Sequence, residues 1–248
     1  MKNTKKLHVM GAIICGLLSF GYAEEHKHWS YDEVSKWGDI ANEFHACKYG
    51  KYQSPINIES QNIIPAKSKN NLHFSYLNNT AQNVVNNGHS IQVNFKSGSS
   101  FTLQNTKFEL VQVHFHTPSE YTIDNKHYPM VAHLVHKSSD GQMLVVAVMF
   151  QEGKQNPTIQ QIWDKIPQKS GETNNIEVVD IANLVKSNAP YYRLDGSLTT
   201  PPCTEGVIWI IPKEPMSASK DQIEQFTNII GKNNRPVQQA NGRVIIED

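Results

Sequence analysis

Phe108-Glu109-Leu110-Val111-Gln112-Val113-His114-Phe115-His116-Thr117-Pro118-Ser119-Glu120 decides how this chain is read. The run up to Val113 alternates and is β-branched at Val111 and Val113, so residues 108–116 read as a strand. Residues i and i+2 of a strand face the same side. His114 and His116 therefore project together, and Phe115 points the other way. Two adjacent imidazoles can chelate a metal, and a third with one position left open makes the metal catalytic rather than structural.

The third imidazole is sought in Ala132-His133-Leu134-Val135-His136. Residues 131–135 are short and apolar and follow Tyr128-Pro129, which favours a strand over a helix. On a strand His133 and Val135 share one face and His136 takes the other. The stretch 117–129 has the length to turn the chain back, setting His133 across the sheet from His114 and His116. A single strand histidine more often packs in a core or hydrogen-bonds there; three on adjacent strands mean more than each alone. Three neutral nitrogens suit Zn²⁺, one per chain, with water in the fourth position and its pKa lowered toward neutrality. Each imidazole then needs an acceptor to hold its tautomer, and Gln112, on the face of His114, is a candidate. Glu120 reads either as a carboxylate beside the metal or as a solvated loop acid.

Outward from this stretch, residues 72–76, 81–86, 90–95, 100–103, 131–135, 143–150 and 207–211 also read as strands. Asn87-Gly88, Lys96-Ser97-Gly98, Asp124-Asn125 and Asp140-Gly141 mark turns between them. Helical periodicity is confined to 158–165, 181–186 and 219–229, with Ser217 or Ser219 as N-cap of the last. Many strands and few peripheral helices predict a mainly β fold: one domain built on a large, twisted, mostly antiparallel central sheet with short surface helices.

The chain has 248 residues, with 23 Lys+Arg against 23 Asp+Glu. Lys2, Lys5 and Lys6 precede an apolar run ending at Phe20, and Gly21-Tyr22-Ala23 follows as a small-residue cleavage site. That is the pattern of a secretory signal peptide over 1–23, leaving a domain over 24–248 and a periplasmic or secreted destination. Without the leader's three Lys, the remainder carries 20 basic against 23 acidic residues, net −3, which offers no basic surplus for nucleic acid. Removing the leader also leaves two cysteines, Cys47 and Cys203. In an exported protein that even count suggests a disulfide, against two buried free thiols.

Beyond the three histidines, the chain resembles the α-class carbonic anhydrases over nearly all of 28–245. The most specific match is Gly196-Ser197-Leu198-Thr199-Thr200-Pro201-Pro202-Cys203, similar to that family's active-site loop. Gln53-Ser54-Pro55-Ile56, Asn86-Asn87-Gly88-His89, the His-x-His strand, Ala132-His133-Leu134-Val135-His136, Val207-Ile208-Trp209 and Asn234-Arg235-Pro236 agree in order and spacing. The resemblance implies reversible hydration of CO2 to bicarbonate and a proton, by zinc held on His114, His116 and His133. It implies that Thr199 accepts a hydrogen bond from zinc-bound hydroxide and donates one to Glu120, and that Thr200 orders water. Val135, Val145, Leu198, Val207 and Trp209 would form the apolar CO2 pocket. His89 would shuttle the proton outward, along water lined by Tyr31, Asn87 and Gln92. Sulfonamide and anion inhibitors, a monomer or homodimer, a Cys47–Cys203 bridge, and cis bonds at Ser54-Pro55 and Pro201-Pro202 are further implications.

Two positions depart from the family. Val131 stands where an acid usually supports the third histidine. Leu194 stands where a tyrosine often supports the Glu120 and Ser54 region. Two rival readings accompany the enzyme: a non-catalytic zinc-binding or surface-interaction protein on the same scaffold, and a cupin-type iron dioxygenase with Glu120 as fourth ligand. The second lacks the glycine its motif wants, since Phe108 stands there.

Overall fold

Short runs of β-branched and aromatic residues fill the middle of the chain, and each can satisfy its backbone only by pairing with a neighbour. The computed structural model describes residues 28–66, 72–187 and 189–248. The leader expected at 1–23 lies outside the described residues. Among them, one sheet holds thirteen strands. Across its centre run Ala81–Asn86, Ile91–Phe95, Thr106–His116, Met130–Ser138, Met143–Glu152, Glu205–Pro212 and Tyr191–Ser197, in that spatial order. Neighbours are antiparallel, except that Met143–Glu152 and Glu205–Pro212 run parallel, with Val145 opposite Trp209. The mostly antiparallel sheet expected from the sequence is the one observed.

Most strands lie where alternation places them. Met130–Ser138 runs longer than 131–135, and His73–Ser75 is shorter than 72–76. Tyr191–Ser197 is a strand that the sequence pattern does not announce. Both Tyr191 and Tyr192 are buried, on opposite faces, and Arg193, Asp195 and Gly196 dilute the apolar signal.

The helices are short, as expected. Pro157–Trp163 opens with proline at its first turn, and Asn156 Oδ1 accepts from the amides of Thr158 and Ile159. Lys220–Ile230 opens with a capping box: Ser219 Oγ accepts from Gln222 N, and Gln222 reaches back to Ser219 N. Residues 181–186 form only a 3₁₀ turn, Ile181–Leu184. The helices Pro157–Trp163 and Lys220–Ile230 bring Trp163 and Phe226 onto Phe115, with ring centroids 4.8 Å and 6.2 Å away. Phe115 is fully buried there, which contributes about 1.5–3 kcal/mol.

The sheet has two buried faces. One packs Phe108, Leu110, Val113, Phe115, Leu134 and Val146 into the main core beneath the helices. The other carries Val131, Val135, Val145, Ala147, Leu194 and Trp209. In the strand Thr106–His116, Phe108 and Leu110 are even-numbered core residues, whereas Val113 and Phe115 are odd-numbered. The change of parity occurs at Val111, which bulges out of the pairing: Leu110 faces His136 and Gln112 faces Val135, with Val111 opposite neither.

Candidate active site

Beyond the bulge, Gln112, His114 and His116 share the face away from the main core. His114 lies directly opposite His133 in the antiparallel register, and His116 lies opposite Val131. The sheet thus brings His114, His116 and His133 together, with ligand nitrogens within 4.8 Å of one another. His136, as expected, takes the opposite face.

Each imidazole is oriented differently. His114 Nδ1 donates to Gln112 Oε1 at 2.7 Å, the pairing expected of Gln112. His116 Nδ1 donates to the Asn233 carbonyl at 2.7 Å. Both rings therefore keep Nε2 free, and His116 Nε2 is buried with no hydrogen-bond partner. It lies 3.6 Å from Glu120 Oε2, while His133 turns Nδ1 to the same oxygen at 3.8 Å. Burial, and then the neighbouring imidazoles, hold His114 and His133 well below the ordinary histidine value. Three neutral nitrogens converging around an unsatisfied point fit a Zn²⁺ ion, with a fourth position left for water.

Glu120 is not a solvated loop acid. It is fully buried, and burial pushes its carboxyl up. His116, the Arg235 amide and the Thr199 hydroxyl oppose that shift. The Arg235 amide donates to Glu120 Oε1 at 2.9 Å. That bond fixes one of the two carboxylate oxygens and leaves Oε2 facing His116 and His133.

The loop after Tyr191–Ser197 is tied down from several sides. Ser54 N donates to Ser197 Oγ at 2.8 Å, and Ser197 N donates to Ser54 Oγ at 3.1 Å. Gly196 permits this approach, because a Cβ there would sit 2.1 Å from Ser54 Oγ. Trp209 Nε1 donates to the Ser197 carbonyl at 3.1 Å, and Cys203 N to the Thr200 carbonyl at 2.8 Å. Cys47 and Cys203 are joined in a disulfide. Ser54-Pro55 and Pro201-Pro202 are both cis, as the resemblance implies, and Thr117-Pro118 is cis as well.

Beside the histidines, Val135, Val145, Val207 and Trp209 are buried in one apolar cluster spanning three neighbouring strands, with Leu198 packed against it. His89 is half-buried and stacks on Trp29, with centroids 3.8 Å apart and planes 8° from parallel. Burial, and then His28, lower its pKa from 6.5. Asn87 Oδ1 accepts from the amides of His89 and Ser90, so its role is to shape the turn that carries His89. Gln92 sits opposite His114 in register and donates to Asn94 Oδ1. Tyr31 packs edge-on to Trp29 and Trp37.

Three contributors carry no chemical signature in the sequence. Asn233 accepts from His116 on its carbonyl and from Thr117 N on Oδ1, and its Nδ2 donates to the His89 and Phe115 carbonyls. Arg235, almost wholly buried, donates from Nη1 to Gln53 Oε1 and the Ser54 carbonyl, and from Nη2 to the Cys47 carbonyl. Only the block Asn234-Arg235-Pro236 signals this segment. Tyr121 is the third. Its hydroxyl pairs with Ser54 Oγ at 2.7 Å, so the support missing at Leu194 enters from another strand-end.

The comparisons agree with this geometry. The model of the eukaryotic-type carbonic anhydrases matches residues 32–248. A carbonic anhydrase of Neisseria gonorrhoeae is 39% identical, over 99% of this chain and 98% of its own. One from Pectobacterium atrosepticum is 41% identical over 90% and 92%. The α-carbonic anhydrase of Thermovibrio ammonificans, solved with the inhibitor sulfanilamide, superposes with a TM-score of 0.86 at 41% identity, covering 89% of this chain and 99% of that one. Fold, histidine cluster and relatives together place the chain in the eukaryotic-type (α) carbonic anhydrase family of zinc lyases.

Proposed function

We propose that the chain hydrates CO2 reversibly to bicarbonate and a proton, with one zinc ion held by His114 Nε2, His116 Nε2 and His133 Nδ1. The observation that carries this is the convergence of those three nitrogens beside both the Thr199–Glu120 pair and the valine wall. Zinc, when bound, supplies a Lewis acid that makes water nucleophilic near neutral pH, an effect for which carbonic anhydrases are themselves the reference case.

The chain's own groups do the rest. Glu120, held by Arg235 N–H, would accept from the Thr199 hydroxyl and so leave the Thr199 oxygen as an acceptor toward the cavity. That fixes the orientation of an attacking O–H and disfavours ligands with no proton to give. Val135, Val145, Val207, Trp209 and Leu198 present an oily surface on which an uncharged linear substrate displaces water at little cost. Thr200, one residue on, orders the remaining water. His89 carries the proton out, with a lowered pKa that keeps it in the neutral, proton-accepting form. A sulfonamide would occupy the same site, with its nitrogen toward the histidines and its donor toward Thr199. Export to the periplasm or medium suits the disulfide.

Zinc analysis paired with stopped-flow CO2 hydration tests the assignment. One zinc per chain and activity lost on chelation are expected. His114→Ala with full zinc and full activity would remove the ligand assignment.

A further inference from the structure

We propose that His133 is a metal ligand with no acceptor behind it, and that residue 131 thereby makes the site release its metal more readily than three anchored imidazoles would. This rests on the zinc site proposed above. Two of the three rings are anchored: His114 by Gln112 Oε1 and His116 by the Asn233 carbonyl. His133 Nε2 is fully buried and has no hydrogen-bond partner among the described residues.

Its surroundings explain why. Across the strand, His133 pairs with Ala147, and its ring meets the edge of Trp209 with centroids 4.9 Å apart. Trp209 Nε1 can only donate, and it already donates to Ser197 O. The Tyr121 hydroxyl, whose ring also packs against Trp209, is engaged with Ser54 Oγ. An acceptor could come from two residues upstream on the same face, as Gln112 does for His114. That position holds Val131, which is wholly buried and has no polar atom.

With Nδ1 committed to a metal, the ring proton must sit on Nε2, in apolar surroundings and unpaired. The ordering of that ring then rests on packing alone, and the ligand nitrogen lacks the added basicity that an acceptor confers. Loss of such a partner typically weakens metal affinity about 10- to 100-fold, and gain of one should act in reverse.

Zinc affinity is measured by chelator competition, and release by transfer to excess chelator, for the holoenzyme and for Val131→Gln, Val131→Leu and Gln112→Leu. Val131→Gln is expected to tighten zinc and slow its release by about 10-fold or more. Val131→Leu should stay near wild type, and Gln112→Leu should weaken binding. If wild type binds one zinc and hydrates CO2, and Gln112→Leu weakens binding while Val131→Gln changes nothing, the inference is overturned and the function stands. A wild-type chain that takes up no zinc overturns the function instead. Should Val131→Gln fail to fold, imidazole N–H resonances of the zinc-loaded wild type decide. Those of His114 and His116 should lie downfield as hydrogen-bonded protons. A His133 Nε2–H equally far downfield would show an acceptor and sink the proposal.

Discussion

In the proposed mechanism the Thr199 hydroxyl accepts on one side and donates on the other. Its direction would be set by Glu120, whose Oε1 is held by the Arg235 amide at 2.9 Å. Thr199→Ala should lower kcat/KM by about 10²–10³-fold while leaving zinc content unchanged, a split that steady-state kinetics and metal analysis read together. His89 poses a different question, because burial and His28 lower its pKa. Its neutral, proton-accepting form therefore persists to lower pH than that of an ordinary histidine. Trp29→Ala removes the stacked ring and exposes His89, so the pH midpoint of turnover in weak buffer should move up. His89→Ala should lose turnover that added imidazole partly restores; full turnover without the rescue would end the shuttle role. Most of these residues are legible in the sequence, because they lie in short motifs. Asn233 is not, and Arg235 shows only as part of the block Asn234-Arg235-Pro236, because their work is done partly by backbone atoms and across long sequence separations, which no side-chain pattern records.

The strand Met130–Ser138 shows how one element serves two environments. Val131, His133 and Val135 face the site, and Ala132, Leu134 and His136 face the core. His136 is wholly buried, donates from Nδ1 to Leu144 O and accepts from the Tyr76 hydroxyl at 2.7 Å on Nε2. Burial lowers its pKa from 6.5 to about 4. Between those values the unfolded chain binds more protons than the folded one. The stabilisation is therefore complete above about pH 6.5 and is lost as pH falls toward 4, by about 3 kcal/mol from this group. Urea midpoints across that range should fall with acid in the wild type and fall less steeply in His136→Gln. An unchanged slope would remove His136 as the cause. In the helix Lys220–Ile230, Ser219→Ala should cost about 1 kcal/mol, read by thermal unfolding. The strands are legible where apolar residues alternate and turns carry Gly or Asn. Tyr191–Ser197 is not, because its two tyrosines are buried on opposite faces and its glycine is kept for a close approach to Ser54.

At the scale of the molecule, segments far apart in the sequence are drawn onto the site. The Cys47–Cys203 bridge closes 156 residues and ends four positions from Thr199. Arg235 ties the Cys47 carbonyl to Gln53, Ser54 and, through its own amide, Glu120. Replacing both cysteines by serine should cost stability up to about 5 kcal/mol by the chain-entropy account, measured by denaturant unfolding. Activity should fall before unfolding, because the loop bearing Thr199 loses one anchor while the histidines on the sheet keep theirs. The sheet and the ligand set are readable because both follow from local periodicity. The clamp around Glu120 is not, since it exists only once residues 47, 54, 120, 203 and 235 meet in space.

The bulge at Val111 has a genetic consequence. It works as a slack loop in the reading frame: Leu110 faces His136 and Gln112 faces Val135, so the chain on both sides keeps phase with the neighbouring strand and Val111 alone is set outside the pairing. Losing the Val111 codon would leave a regular strand with His114 and His116 still toward the cavity and Val113 and Phe115 still toward the core. Losing a further codon between Val111 and His114 would reverse that phase and turn the imidazoles into the core, with every coding residue of the metal site still present. Val111 is therefore the one place in this strand where a residue is lost without moving the metal ligands.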